Sequence, residues 1–245
     1  MLLMAGILLP SAAKDRSKQV IAHRGYWKTE GSAQNSISSL RNTHDIGVYG
    51  AEFDVHITRD GVVVVFHDDC IEGIKIEDAN YADIKDKRLK NGERIPTLNE
   101  YLDVAKTLGR MKLILEIKEH ADKNDEDRCL EATLRLVKEA QLEKRTEYIS
   151  FSRHACDWLV AHAPKAKVAY LKGDLSPKQA KEAGYTGIDY ERKVYNDNPS
   201  WMKEAKKLHL TTNVWTVNDP DEIKSFFLQG VDFVTTNEPV KAKSL

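Results

Sequence analysis

From Gln19 onward, short apolar runs alternate with stretches whose apolar residues recur at helical spacing. The runs of strand length are Val20–Arg24, Ala51–Ile57, Val62–His67, Leu113–Ile117, Tyr148–Phe151, Val168–Leu171, Gly187–Tyr190, Thr212–Val217 and Val231–Thr235. Amphipathic windows such as Asp127–Ala140, Pro177–Ala183 and Pro220–Gln229 lie between them. Ser176-Pro177 and Asp219-Pro220 each read as an N-cap followed by Pro at the first helical position. Repeated strand–helix alternation predicts a parallel sheet. The third run is the exception. Only Arg59-Asp60-Gly61 separate Thr58 from Val62, whereas a parallel crossover needs about a dozen residues. A hairpin with Gly in the left-handed position fits that spacing. If Thr58 faces Val62, paired numbers add to a constant, so His67 faces Phe53 between Glu52 and Asp54. Eight parallel strands remain, which predicts a (β/α)8 barrel whose reactive residues stand at the C-terminal strand ends. Residues 69–96 read as a small insertion over that face.

Composition narrows the class. The chain has 245 residues, 41% of them hydrophobic, with 37 Lys plus Arg against 38 Asp plus Glu. That is ample for one core and unlike a disordered or disulfide-stapled chain. A formal net charge of −1 with scattered basic residues gives no footprint for nucleic acid. Met1–Leu9 are apolar and Pro10 and Ser11-Ala12-Ala13 follow, as in a signal-peptide core with its cleavage site after Ala13, though no basic residue precedes the run. The run is too short to span a bilayer. The expectation is a periplasmic or secreted protein whose single domain covers residues 14–245, or a cytoplasmic one if the leader is no signal. Cys70, Cys129 and Cys156 show neither metal-site nor disulfide spacing.

The polar residues at strand ends carry the chemistry. Glu52, Asp54 and His56 share one parity, as do Glu116 and Lys118, so each set faces one side of the sheet. Converging carboxylates without soft ligands suit a hard cation such as magnesium or calcium. Taken singly they also fit solvated or salt-bridged acids, and Glu116 with Lys118 a plain ion pair. His23-Arg24-Gly25 ends the first run and His67-Asp68 the hairpin. Two imidazoles, a cation and a guanidinium together suit phosphodiester cleavage: one His takes a proton, the other gives one, and the charges stabilise the phosphoryl group.

The strings Val20-Ile-Ala-His-Arg-Gly25, Glu52-Phe-Asp-Val-His-Ile-Thr-Arg-Asp-Gly61, Val65-Phe-His-Asp-Asp69, Ile95-Pro-Thr-Leu98, Leu115-Glu-Ile-Lys118, Val214-Trp-Thr-Val-Asn218 and Asp232-Phe-Val-Thr-Thr-Asn-Glu-Pro239 occur in this order. As an ordered set, they resemble the glycerophosphodiester phosphodiesterase family. The resemblance implies a TIM barrel and cation-dependent hydrolysis of deacylated phospholipids to sn-glycerol 3-phosphate and an alcohol. It implies His23 and His67 as the acid–base pair and Glu52, Asp54 and Glu116 as ligands of one magnesium or calcium ion. Arg24 and Lys118 become phosphate contacts, and Trp215 a pocket wall, a position barrel packing would equally explain. Attack by a neighbouring glycerol hydroxyl, giving a cyclic phosphate that water opens, belongs to the same family chemistry.

One departure stands out. Where the family carries a Pro-Glu-Asn-Thr-like motif, this chain has Ser32-Ala-Gln-Asn-Ser36, with Gln34 in place of Glu. If that Glu supports the cation or a catalytic His, the amide weakens activity. Asn35-Ser36 fit an N-cap for a helix over Ile37–Ile46, and Tyr26-Trp27 border the expected pocket. The alternatives are a barrel glycosidase using Glu116 with Asp189 or Glu191, a phosphodiester-binding barrel without turnover, and a sphingomyelinase-D-like or phospholipase-D-like phosphodiesterase. The first leaves His23, Arg24 and His67 without a role.

Overall fold

The structure is a computed structural model that describes Arg16 and residues 19–245; the leader expected at residues 1–13 lies outside the described residues. The elements run β1 (Val20–Ala22), α1 (Ile37–Asp45), β2 (Gly50–Ile57), β3 (Val63–Val65), β4 (Cys70–Ile71), β5 (Ile74–Lys75), α2 (Tyr81–Ile84), α3 (Leu98–Lys106), β6 (Lys112–Ile117) and α4 (Lys123–Glu139). They continue through β7 (Thr146–Ser150), α5 (Arg153–His162), β8 (Lys167–Tyr170), α6 (Pro177–Glu182), β9 (Gly187–Glu191), α7 (Arg192–Asp197), α8 (Trp201–Lys207), β10 (Thr211–Trp215), α9 (Pro220–Gln229), β11 (Phe233–Thr236) and α10 (Pro239–Lys243). Strands β1, β2 and β6 to β11 pair in parallel with their neighbours, and β1 pairs with both β2 and β11, so the sheet closes on itself. This is the TIM barrel expected from the strand count.

The expected hairpin forms in the expected register, with Val55 opposite Val65 and Ile57 opposite Val63. Val55 also pairs with Ile117 of β6, so β3 occupies the side of β2 that β1 leaves free beyond Ala51. The pairing stops short of His67, contrary to expectation. Phe66 still donates its N–H to the Asp54 carbonyl, but the chain then turns away, with the His67 carbonyl 3.2 Å from Nε2 of His56.

All eight residues of β2 are buried, so its alternation separates two interiors. Ala51, Phe53 and Val55 pack outward under the helices with Tyr101, Leu102 and Leu130, while Glu52, Asp54 and His56 face into the barrel. Burying a side chain such as Phe53 contributes about 1.5–3 kcal/mol, which holds the strand whatever its inner face carries. Helix α4 begins four residues before the apolar periodicity at Asp127. Asp122 accepts from Asn124 N–H, and Asp125 and Glu126 occupy the first turn, where acids offset the helix dipole. Residues of the 69–96 segment build a separate apolar cluster: Ile71, Ile76, Ile84, Leu89 and Ile95 pack on Val64 and Ala33. Among the described residues no helix is long and apolar enough to cross a membrane.

Candidate active site

The first run ends at Ala22 rather than Arg24, because Arg24 and Gly25 both take left-handed backbone, φ 56° and 74°. Gly25 is obligatory there, since a Cβ would lie 2.4 Å from Ser39 Oγ and 2.9 Å from its carbonyl carbon. The turn aims the Arg24 N–H at Glu52 Oε2, 2.7 Å away. It also brings the guanidinium Nε within 3.9 Å of Asp54 Oδ2.

Glu52, Asp54 and Glu116 converge, each offering an oxygen within 4.8 Å of the others, and all three are buried. Lys118 Nζ donates to Glu116 Oε1 at 2.8 Å and to Asp54 Oδ1 at 3.3 Å. Asn35 Nδ2 donates to Asp54 Oδ2 at 2.8 Å, while its own Oδ1 accepts from Asp54 N–H. Glu52 Oε1 has no partner. Burial, then the Asp54 and Glu116 charges, push the Glu52 carboxyl well above the usual range. Burial and Asp54 push Glu116 up to about 7. Burial acts to raise Asp54 too, but Lys118 chiefly overcomes it and holds that group low. An unpartnered buried carboxylate oxygen beside two further acids is a site short of positive charge, and an all-oxygen set fits a hard divalent ion.

Both histidines face this cluster. His23 Nε2 lies 4.0 Å from Glu52 Oε2. Its Nδ1 is 2.9 Å from Asn237 Oδ1, which also accepts from Trp27 Nε1 at 3.2 Å. An indole N–H only donates, so the Asn237 oxygen faces this way, His23 Nδ1 carries the proton and Nε2 is left with a lone pair. Burial and then the Arg24 charge lower His23 to about 4, so the ring is neutral near pH 7. His67 donates from Nδ1 to Asp68 Oδ1 at 2.6 Å.

A cavity of about 140 Å3 is lined by His23, Arg24, Glu52, His67, Glu116, Lys118 and Trp215, with Asp189 and apolar walls from Ile149, Phe151 and Leu171. Asp54 lies behind it in the acidic cluster. A wider open cleft past Asp69 and Glu119 shares Glu116, Lys118 and Phe151 with it. Trp215 stands edge-on to Phe151, ring centres 5.4 Å apart.

Among the described residues Gln34 hydrogen-bonds neither the acids nor a histidine: its Oε1 accepts from Arg24 Nη1 at 2.6 Å. Ser36 caps α1, accepting from Ser39 N–H. Trp27 reaches the site through Asn237, whereas Tyr26 packs against the main core. Of the two partners considered for Glu116 in a glycosidase, Glu191 is exposed and outside the cavity lining, whereas Asp189 lines the cavity with Glu116. Asn237 and the supporting roles of Asn35 and His56 escaped the sequence reading. The motif containing Asn237 was visible, but its partner is 214 residues distant.

Comparison with known proteins points to one family. The sequence model of the glycerophosphoryl diester phosphodiesterase family matches residues 23–241. A crystal structure of a glycerophosphodiester phosphodiesterase from Parabacteroides distasonis is 48% identical, with TM-score 0.91, covering 93% of this chain and 96% of that one. An Oleispira antarctica phosphodiesterase, solved in complex with the product sn-glycerol-3-phosphate, is 25% identical with TM-score 0.79 over 92% and 95% of the two chains. The glycerophosphodiester phosphodiesterase of Caldanaerobacter subterraneus subsp. tengcongensis is 27% identical over 237 residues, 90% of this chain and 94% of that protein.

Proposed function

The chain belongs to the glycerophosphoryl diester phosphodiesterase family and is an enzyme of that class; from this premise we propose that it cleaves small glycerophosphodiesters to sn-glycerol 3-phosphate and an alcohol by two-histidine acid–base catalysis supported by one divalent cation. The observation that carries the reading is the meeting of three buried acids with two imidazoles around one cavity. Glu52, Asp54 and Glu116 would hold magnesium or calcium, which when bound supplies positive charge against the phosphoryl oxygens.

The proton path follows from the hydrogen bonds. His23 Nε2, with its lone pair free, accepts the proton of the glycerol 2-hydroxyl as that oxygen bonds to phosphorus. His67, its Nδ1–H held by Asp68, gives a proton from Nε2 to the departing alcohol oxygen as the P–O bond breaks. Water then opens the cyclic phosphate, with the proton movements reversed. Arg24 grips the phosphate: Gln34, being neutral, orients the guanidinium without cancelling its charge. A binding-only barrel found its support in Gln34, and the contact with Arg24 removes that support. The alcohol half points toward the open cleft past Asp69 and Glu119. The leader supports export to the periplasm or beyond, for which N-terminal sequencing of secreted protein should find a start near Lys14.

The test is release of glycerol 3-phosphate from glycerophosphocholine and glycerophosphoethanolamine, with chelator and then with magnesium or calcium restored. Release that stops with chelator and returns with cation is expected. Release indifferent to chelator removes the cation from the scheme, and no release from folded, metal-supplied protein overturns the substrate class.

A further inference from the structure

We infer that His56 is a positioning residue for the general acid, holding the main chain of His67 so that its imidazole meets the departing alcohol oxygen. This rests on the acid–base hydrolysis proposed above, in which His56 itself has no part. His56 follows Asp54 on the inward face of β2 and is only 3% exposed. A buried polar ring needs a partner, and the one it takes is the His67 carbonyl, 3.2 Å from Nε2. A carbonyl oxygen only accepts, so Nε2 carries the proton and donates it to this bond.

The segment that His56 grips has few other ties. Pairing with β2 ends at Val65, and Phe66 N–H donates to the Asp54 carbonyl at 3.0 Å. Among the described residues the next main-chain bond runs from Ile76 N–H to the Asp69 carbonyl. The Asp68 side chain, which accepts from the His67 ring, is 72% exposed, so that contact is a weak restraint. His56, by contrast, belongs to a paired strand, with Val64 opposite it. The buried His120 ring packs edge-on against it, ring centres 5.9 Å apart, and His120 Nε2 accepts from Ile57 N–H at 3.4 Å. One hydrogen bond thus ties a loop-borne acid to the buried hairpin. An error of about 1 Å in the placing of such a group can cost on the order of 10²-fold in rate.

The experiment compares two diesters of sn-glycerol 3-phosphate, one with choline and one with p-nitrophenol. Both keep the attacking hydroxyl. Choline leaves as an alcohol and takes the His67 proton as the P–O bond breaks, whereas p-nitrophenol leaves as a stable phenolate and takes none. His56→Phe, which keeps a ring and lacks the N–H, should lower kcat/KM for choline release by roughly 10- to 100-fold and leave nitrophenolate release within about twofold of wild type. His56→Gln, whose amide nitrogen reaches the place of Nε2, should restore most of the choline rate. Should His56→Phe not fold, His56→Asn, which reaches only as far as Nδ1, replaces it in the comparison with His56→Gln. Equal losses on both diesters, or no loss on either, overturn the assignment. His67→Ala should show the same split; if it slows both diesters alike, His67 is not the acid and the role given to His56 falls with it. Failure of wild type to cleave either diester overturns the hydrolysis reading itself and this assignment with it.

Discussion

The two ends of the barrel interior handle charge in opposite ways. At the N-terminal end, Glu147 accepts from Tyr49 Oη at 2.7 Å and from Lys167 Nζ at 2.9 Å, with Lys112 Nζ 3.7 Å away. Tyr49 stacks obliquely on Phe233, ring centres 4.3 Å apart, closing that end with paired polar groups and aromatic surface. At the C-terminal end Glu52, Asp54 and Glu116 share mainly Lys118 and Arg24, and Glu52 Oε1 has no partner. Burial and like charge there push two carboxyls upward. One end spends its polar groups on stability. The other holds them short of partners, as the proposed binding of a cation and an anionic substrate requires.

Changes at the reactive end test that contrast most strongly. His23→Ala or His67→Ala should lower turnover roughly 10²–10⁴-fold with the fold intact by circular dichroism; near-normal turnover removes that ring from the proton path. Glu52→Gln should weaken cation affinity by at least about tenfold, the effect expected even of outer-shell groups. It should leave the cation-free melting temperature unchanged or higher, because it replaces a buried carboxyl whose ionised form burial and Asp54 disfavour. An unaltered cation titration would show that Glu52 is not a ligand.

At the closed end the opposite outcome is expected. Glu147→Leu should cost about 1–3 kcal/mol in denaturant unfolding while leaving turnover per folded molecule unchanged. Loss of activity without loss of stability would break the division between the ends. The smallest effect is electrostatic. In cation-free protein Glu116 is raised from about 4.5 to about 7, so the folded state holds the extra proton between those values. Its contribution to stability is full below about pH 4.5 and lost as pH rises through about 7. The melting-temperature difference between wild type and Glu116→Gln should therefore move against wild type from pH 5 to pH 7.5. Added cation should stabilise wild type more at pH 7.5 than at pH 5.

What could be read from the chain was whatever depends on neighbours in sequence. The parity of Glu52, Asp54 and His56, the three-residue turn and the hairpin register follow from the two-residue strand period. Pro220–Gln229 coincides with α9 because Asp219 caps it and Gly230 ends it in the left-handed conformation. Helix α3 carried a legible Thr97-x-x-Glu100 capping box, yet it lay at the edge of a segment read as an insertion. The orientation of His23 was beyond such reading, since it depends on Asn237 arriving across the closed barrel. So was the contact of Gln34 with Arg24, set by a left-handed backbone at a residue that is not glycine. The end of β3 before His67 had a similar cause: the Val65 N–H, on the strand's other edge, donates to the Pro96 carbonyl.

The β2–β3 hairpin also divides the site in time. His67 follows Glu52 by fifteen residues through a tight turn, so this half of the machinery rests on local contacts, which form early in folding. His23 belongs to the first strand and takes its orientation from the residue just after the last. Glu52, Asp54 and His67 thus belong to one hairpin, while His23 needs the distant Asn237 to orient its ring. On the proposed mechanism the proton path is complete only once the final strand pairs with the first, so closing of the barrel and onset of turnover would be the same event.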